Sequence, residues 1–300
     1  MAKYLIVLGA GASYGSDKPA NTPPLTNKLF DELCKSNPEG WGSLDGKYKK
    51  LFRQDFEQAM EQVAKEQPQN MTILQRAMAY YFYKFEPYCS NLYYQLAKKI
   101  KKTTWDGAFV SFNYERLLEL SLSRVGFQPY IGNKPKNSNN LIELCLPHGY
   151  CDIFCTAVKA GSTTIFSGCN VDGPVKKTKT EEEFEGEIKN SVPPVMSYFV
   201  PSKVTMSGTS FINQQRNRFK ELTQTSSVIV IIGMRIRKHD EHIWDPLSST
   251  SAKIIYCAGT SAGEEFKVWA EKNRKGKEDI MLQLYFRNNF KQICFHLGII

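Results

Sequence analysis

Short, unbroken apolar runs alternate along this chain with longer stretches in which apolar residues return every three or four positions. Residues 3–8, GAFVSF (107–112), LIELCLPHG (141–149), SSVIVIIG (226–233) and AKIIYCAG (252–259) are runs of the first kind. Without polar alternation, they predict strands buried on both faces. PPLTNKLFDELC (23–34) places Leu25, Leu29 and Leu33 at helical spacing. Helices are also predicted over 50–66 and 71–102, broken at Pro68, and over YERLLELSLSRVG, which stops at Gly126. DEHIWDPL and AGEEFKVWAEK complete the helical set. Buried strands separated by helices predict an α/β fold, a Rossmann-like parallel sheet with helices on both faces. The chain reads as a single domain over 1–300, with a helical insertion at about 50–102 and an irregular segment at about 150–212. Within that segment the charged run KKTKTEEEFEGE reads as a solvated loop or mobile insert. No internal repeat is present.

Composition narrows the class without naming a function. The chain is 42% hydrophobic and 23% charged, ordinary for a globular protein. No apolar stretch approaches the ~20 residues that span a bilayer, and the start lacks a secretory cleavage pattern. The expectation is a cytosolic protein with no membrane partner. The net charge of +9 suits an anionic ligand, nucleic acid or solubility alone. KKIKK (98–102) reads as a helix end where cations favour the dipole, and no nucleic-acid motif accompanies it. The aromatic segments AYYFYKF and NLYYQLAKKI read as packing. Eight cysteines are scattered, and Cys145, Cys151, Cys155 and Cys169 lack the spacing of paired zinc knuckles. No zinc is expected.

The chemistry-bearing residues fall where strands end. After the first strand comes Gly9-Ala10-Gly11-Ala12-Ser13. Such a turn can present backbone N–H groups to a pyrophosphate, with Ser13 adding a hydroxyl, and the same glycines also occur for purely structural reasons. The dehydrogenase fingerprint is incomplete: its third glycine falls at Tyr14, and the ribose-binding acid falls at Asp31 or Glu32, inside a helix. Asn113 directly follows a second strand, and His148 a third. Each alone reads as a cap or a turn residue. Together they converge at the carboxyl edge of a parallel sheet, where ligands of such sheets lie.

In this order, GAGAS, SFNYE, LPHG and VIVIIGMRIRKHDEHI resemble the sirtuin-like (Sir2-like) NADase domains of bacterial antiphage defence, over roughly residues 4–260. The resemblance implies that Gly9, Ala10, Gly11, Ala12 and Ser13 bind the phosphates of NAD. It implies that Asn113 and His148 are the catalytic pair and that Gly233 approaches the adenosine side. Glu115 stands where the family has an aspartate, as the group that reads the nicotinamide amide. Arg235 replaces a family serine and is either a phosphate partner or a surface arginine. Asp240 and His242 match a D-x-H-I piece and read first as structural or interface residues. NTPPLTNKL lacks the Asp-Phe-Arg of the deacylating sirtuins, and their zinc ribbon is absent. The implied activity is cleavage of NAD, as substrate, to nicotinamide and ADP-ribose, depleting NAD in abortive infection. A non-catalytic NAD or ADP-ribose sensor and an NAD-dependent protein deacylase are the alternatives. Control is expected through homo-oligomerisation or a regulatory partner, such as an ATPase or sensor encoded nearby.

Overall fold

The computed structural model describes residues 3–136, 138–159, 161, 169–190, 192–197, 205–237 and 239–299. The chain opens with β1 (Tyr4–Leu8) and a short helix, α1 (Ala10–Tyr14). Five helices follow: α2 (Thr26–Ser36), α3 (Gly46–Gln54), α4 (Phe56–Glu66), α5 (Pro68–Tyr83) and α6 (Leu92–Lys101). Then come β2 (Gly107–Ser111), α7 (Leu117–Arg124), β3 (Gln128–Tyr130), β4 (Leu141–Cys145), β5 (Ile153–Cys155), β6 (Val175–Lys177) and α8 (Glu181–Asn190). The last third holds α9 (Thr209–Thr225), β7 (Val228–Ile232), α10 (Glu241–Ser249), β8 (Lys253–Cys257), α11 (Thr260–Asn273), β9 (Ile280–Leu282) and α12 (Phe286–His296).

Seven strands form one parallel sheet in the order β3-β4-β2-β1-β7-β8-β9. The chain starts at the centre, builds outward through β2 and β4, then returns to the other flank of β1 with β7. Strand order therefore reverses between β1 and β7, where Leu8 lies opposite Ile232. That reversal opens the crevice in which open α/β sheets take ligands. All five predicted strands are present. The edge strands β3 and β9 join them, each only three residues long.

Both faces of the sheet are buried, which is why its strands read as unbroken apolar runs. Leu5, Val7, Val110, Ile229 and Ile231 pack under α9, α10 and α11, against Phe219, Ile243, Trp244 and Phe266. The alternate residues Ile6, Leu8, Phe109 and Val230 pack under α6, α7 and α12, against Leu96, Leu122 and Ile293.

A second core fills the helical insertion, which begins at α2 rather than near residue 50. Trp41, Phe30, Phe52 and Phe56 stack there, with the Trp41 indole N–H donating to Leu74 O at 3.0 Å. Pro68 starts α5 instead of merely breaking a helix, since a first-turn position needs no N–H. The helix predicted over 71–102 is two helices, α5 and α6. Pro87 interrupts the path, and the Asn91 side chain caps α6 by accepting from Tyr93 N.

The run KKTKTEEEFEGE is not a loop. Its first lysines lie in β6, paired antiparallel with β5, and its glutamates open α8. Three acidic residues in the first turn suit the helix dipole. Phe184 anchors the helix: it is fully buried and stacks on Tyr83 at 3.7 Å between centroids. The part of segment 150–212 that the structure describes is thus largely ordered. Residues 160, 162–168, 191 and 198–204 of it lie outside the described residues. Among the described residues no helix is long and apolar enough to cross a membrane.

Candidate functional site

The two glycine turns at the crevice fit into each other. Gly9 N donates to Ile232 O at 3.0 Å and Gly11 N to Gly233 O at 2.9 Å. Gly233 has φ +69°, and a Cβ there would sit 1.9 Å from Ala12 N. A Cβ on Gly11 would sit 2.9 Å from Gly233 Cα, and one on Gly9 would sit 2.4 Å from Met234 Cγ. These residues are glycine because two backbones meet where no side chain fits. Ala12 N donates to Gly9 O at 2.9 Å. The amides of Gly9, Gly11 and Ala12 are therefore bonded to carbonyls in this conformation. Ala10 belongs to the same turn, as the first residue of α1.

Ser13, on α1, is the hub of a buried network. Asn113, two residues past β2, donates through Nδ2 to Gly9 O at 3.0 Å and to Ser13 Oγ at 2.8 Å. Tyr93 OH lies 2.9 Å from Ser13 Oγ, and Ser13 Oγ donates to Glu115 Oε1. A hydroxyl has one hydrogen and two lone pairs, so all its capacity is used. This conformation leaves Ser13 no donor for a phosphate. Ser13, Tyr93, Asn113 and Glu115 are all buried. Burial pushes the Glu115 carboxyl up to about 8, against a smaller opposing effect of the Ser13 hydrogen bond. At neutral pH the acid is mostly protonated. Burial also raises the Tyr93 phenol, and the nearby Glu115 adds to this. Tyr93 was hidden from sequence reading among its aromatic neighbours.

His148 reaches the same edge by a different route. Val110 of β2 pairs with Cys145 of β4, so Asn113 and His148 each stand three residues past paired positions. Gly149 (φ +80°) locks the turn, its N–H bonded to Leu146 O at 2.9 Å and its Cα packed on Val195, where a Cβ would meet Val195 O at 1.9 Å. The side chains then diverge. Asn113 joins Ser13 and Tyr93 on the α6 side of the sheet. His148 packs edge-on against Phe112, at 4.9 Å between centroids, on the α9–α10 side, where Phe112 also meets Phe219. Its Nε2 lies 2.8 Å from Nε2 of His242, on α10. The structure brings the two backbones to one edge and gives the two side chains different partners.

The loop after β7 is fastened elsewhere. Arg235 is exposed and pairs with Glu265 of α11, with Ser261 Oγ 3.4 Å away. Of its two sequence readings, this conformation shows the surface ion pair. Arg237 and His239 both meet the carboxylate of Glu57 on α4, at 2.8 and 2.7 Å. Nothing in the sequence linked these three. Among the described residues no group of three or more His, Cys, Asp or Glu side chains gathers as metal ligands do.

Neither a protein-family model nor a curated protein sequence matches the chain. Among solved structures it is similar to a serine-to-alanine mutant of a Sir2 homologue in complex with ADP-ribose, at TM-score 0.50 and 13% identity. It is also similar to a histidine-to-asparagine mutant of a Sir2 homologue in complex with ADP-ribose, at TM-score 0.50 and 14% identity. Each comparison covers 99% of this chain and 92% of the other. The fold is therefore a Rossmann-like α/β sheet of the sirtuin type.

Proposed function

We propose that this protein is an NAD glycohydrolase that cleaves NAD to nicotinamide and ADP-ribose. The observation that supports it most is that the Gly9–Ser13 turn and the backbones of Asn113 and His148 come to the carboxyl edge of the sheet, beside its reversal point. The fold is one whose solved neighbours carry ADP-ribose in their complexes.

The chemistry asks little of an acid. Nicotinamide in NAD is cationic, so it takes the C1′–N electron pair and leaves neutral. Water attacks C1′ as the ribose gains oxocarbenium character, and its proton passes to His148 and then to solvent. Asn113 orients the water or the ribose by leaving its present partners, Gly9 O and Ser13. The diphosphate lies beside the glycine turns, whose Gly9, Gly11 and Ala12 amides are bonded to carbonyls in this conformation, and Glu115, as a neutral acid, lies one hydroxyl away from Asn113. In a bacterial host such an activity depletes NAD during phage infection, under control of self-assembly or a partner ATPase or sensor.

A second reading has one observation in its favour. Both hydrogens of the Asn113 amide are bonded within the protein, which suits a site that binds a nucleotide without cleaving it. Incubation with NAD, with and without phage-infected lysate, followed by chromatography for nicotinamide, separates the two. Product that disappears in Asn113→Ala and His148→Ala supports the hydrolase. Tight NAD or ADP-ribose binding without product supports the sensor.

A further inference from the structure

We propose that Glu57 is an ionic latch at the crevice: it holds Arg237 and His239 in the place of a dinucleotide's diphosphate, which takes those two side chains from it on binding. The proposal rests on the glycohydrolase reading for its ligand, and on the three side chains for its geometry.

The latch joins two walls. Glu57 lies in the first turn of α4, in the helical insertion that follows β1 and α1. Arg237 and His239 lie between β7 and α10, in the segment that starts at Gly233 against the glycine turn. Arg237 Nη1 stands 2.8 Å from Glu57 Oε1, and His239 Nε2 stands 2.7 Å from Oε2. The charge of Glu57 also acts on Tyr114, just past β2: burial raises that phenol, and the carboxylate adds to the rise. In the sheet β1 stands between β2 and β7. Glu57 therefore works on groups that follow both neighbours of β1, and the glycine turn lies between those neighbours.

A diphosphate needs positive charge, and the turn has little to give in this conformation. Its Gly9, Gly11 and Ala12 amides are bonded to carbonyls, and the Ser13 hydroxyl is spent on Asn113, Tyr93 and Glu115. Arg235 is drawn away to Glu265 on α11. Arg237 already holds an anion, and its guanidinium fork takes phosphate oxygens as it takes carboxylate oxygens. The Arg237 and His239 side chains are 39% and 34% exposed, so an anion from solvent can reach them, whereas Glu57 is buried. A diphosphate brings two negative charges against the one of Glu57. Separating a buried carboxylate from its partners costs free energy, and that cost falls on the affinity of the ligand. The latch thus restrains binding without blocking it.

Calorimetric titration of the full chain with ADP-ribose tests the latch, with adenosine as the control that lacks a diphosphate. Glu57→Gln is expected to tighten ADP-ribose binding roughly two- to tenfold, the scale of a partly exposed ion pair, and to leave adenosine unchanged. Arg237→Gln weakens ADP-ribose binding by a similar factor, and in the double variant the tightening disappears. Added salt shrinks the gain from Glu57→Gln, since exposed charges are screened. A merely structural bridge would give weaker binding from both sides. Unchanged or weaker ADP-ribose binding in Glu57→Gln, or a tightening that survives Arg237→Gln, overturns the proposal. Should Glu57→Gln fail to fold, the arginine decides: Arg237→Lys keeps part of the affinity that Arg237→Gln loses, and equal losses overturn the proposal. A wild type that binds ADP-ribose but cleaves no NAD removes the glycohydrolase reading and leaves this test intact. A wild type that binds no ADP-ribose removes the latch.

Discussion

Two clusters share one edge of the sheet and are built on opposite principles. On the α6 side, Asn113, Ser13, Tyr93 and Glu115 form a closed hydrogen-bonded set around one hydroxyl. On the α10 side, His148 and His242 meet through their Nε2 atoms and lean on Phe112. The first cluster is held by saturation: each added partner reduces the freedom of the rest. The second is built on ring packing against Phe112. On the proposed glycohydrolase reading, the first would hold a sugar still and the second would take up a proton. The β-strand alternation separates them, since Phe112 and Asn113 point to opposite layers.

The largest effect expected from breaking this pairing is catalytic. On the proposed reading His148→Ala lowers NAD turnover by roughly 10²–10⁴-fold, the usual range for a lost acid–base group, and Asn113→Ala by roughly 10²-fold or more, as for a lost positioning contact. Nicotinamide release measures it, and near-wild-type turnover in either variant removes that residue from the chemistry. Next comes Gly233→Ala, which acts on the Ser13 cluster through the turn packed against it. Its Cβ would lie 1.9 Å from Ala12 N in a left-handed backbone, so a loss of about 3 kcal/mol or more is expected in chemical denaturation.

Glu115→Gln sharpens the contrast through pH. The folded protein keeps the Glu115 proton up to about 8, whereas the exposed carboxyl loses it near 4.5. The folded state therefore holds more protons in that window. The stability this group contributes is complete below about 4.5 and is lost as pH rises towards about 8. Melting of the wild type relative to the glutamine variant should fall between pH 5 and 8.5. A pH-independent difference would place the acid in a wetter site. The smallest effect is Tyr93→Phe, which removes one hydrogen bond to Ser13 and costs about 1 kcal/mol. The histidine NMR spectrum of this variant should match the wild type, because the rings lie in the other layer.

The parallel sheet was legible because its strands are buried on both faces and leave unbroken apolar runs. The places of Asn113 and His148 just past strand ends were legible because they follow such runs directly. Strands β3 and β9 were not, since three residues carry no periodicity and depend on a neighbour already in place. Helix α8 hid behind its glutamates because a single side chain, Phe184, anchors it. Tyr93 and His242 were beyond local reading for a different reason. Each acts on a residue far away in sequence, 80 positions for Tyr93 with Ser13 and 94 for His242 with His148. No window of residues contains both partners. The split of Asn113 from His148 was also out of reach, since spacing fixes where a backbone ends but not what a side chain grips.

The fit of Gly9 and Gly11 against Gly233 has a consequence for anyone tracing descent through this fold. Backbone crowding alone forbids any larger residue at these points, whatever lies above them. A lineage would be compelled to keep these three glycines whether or not it kept any chemistry. The motif that first draws the eye is thus a signature of carpentry, and a loss of the proposed chemistry would be written at Asn113 and His148 before it reached the glycines.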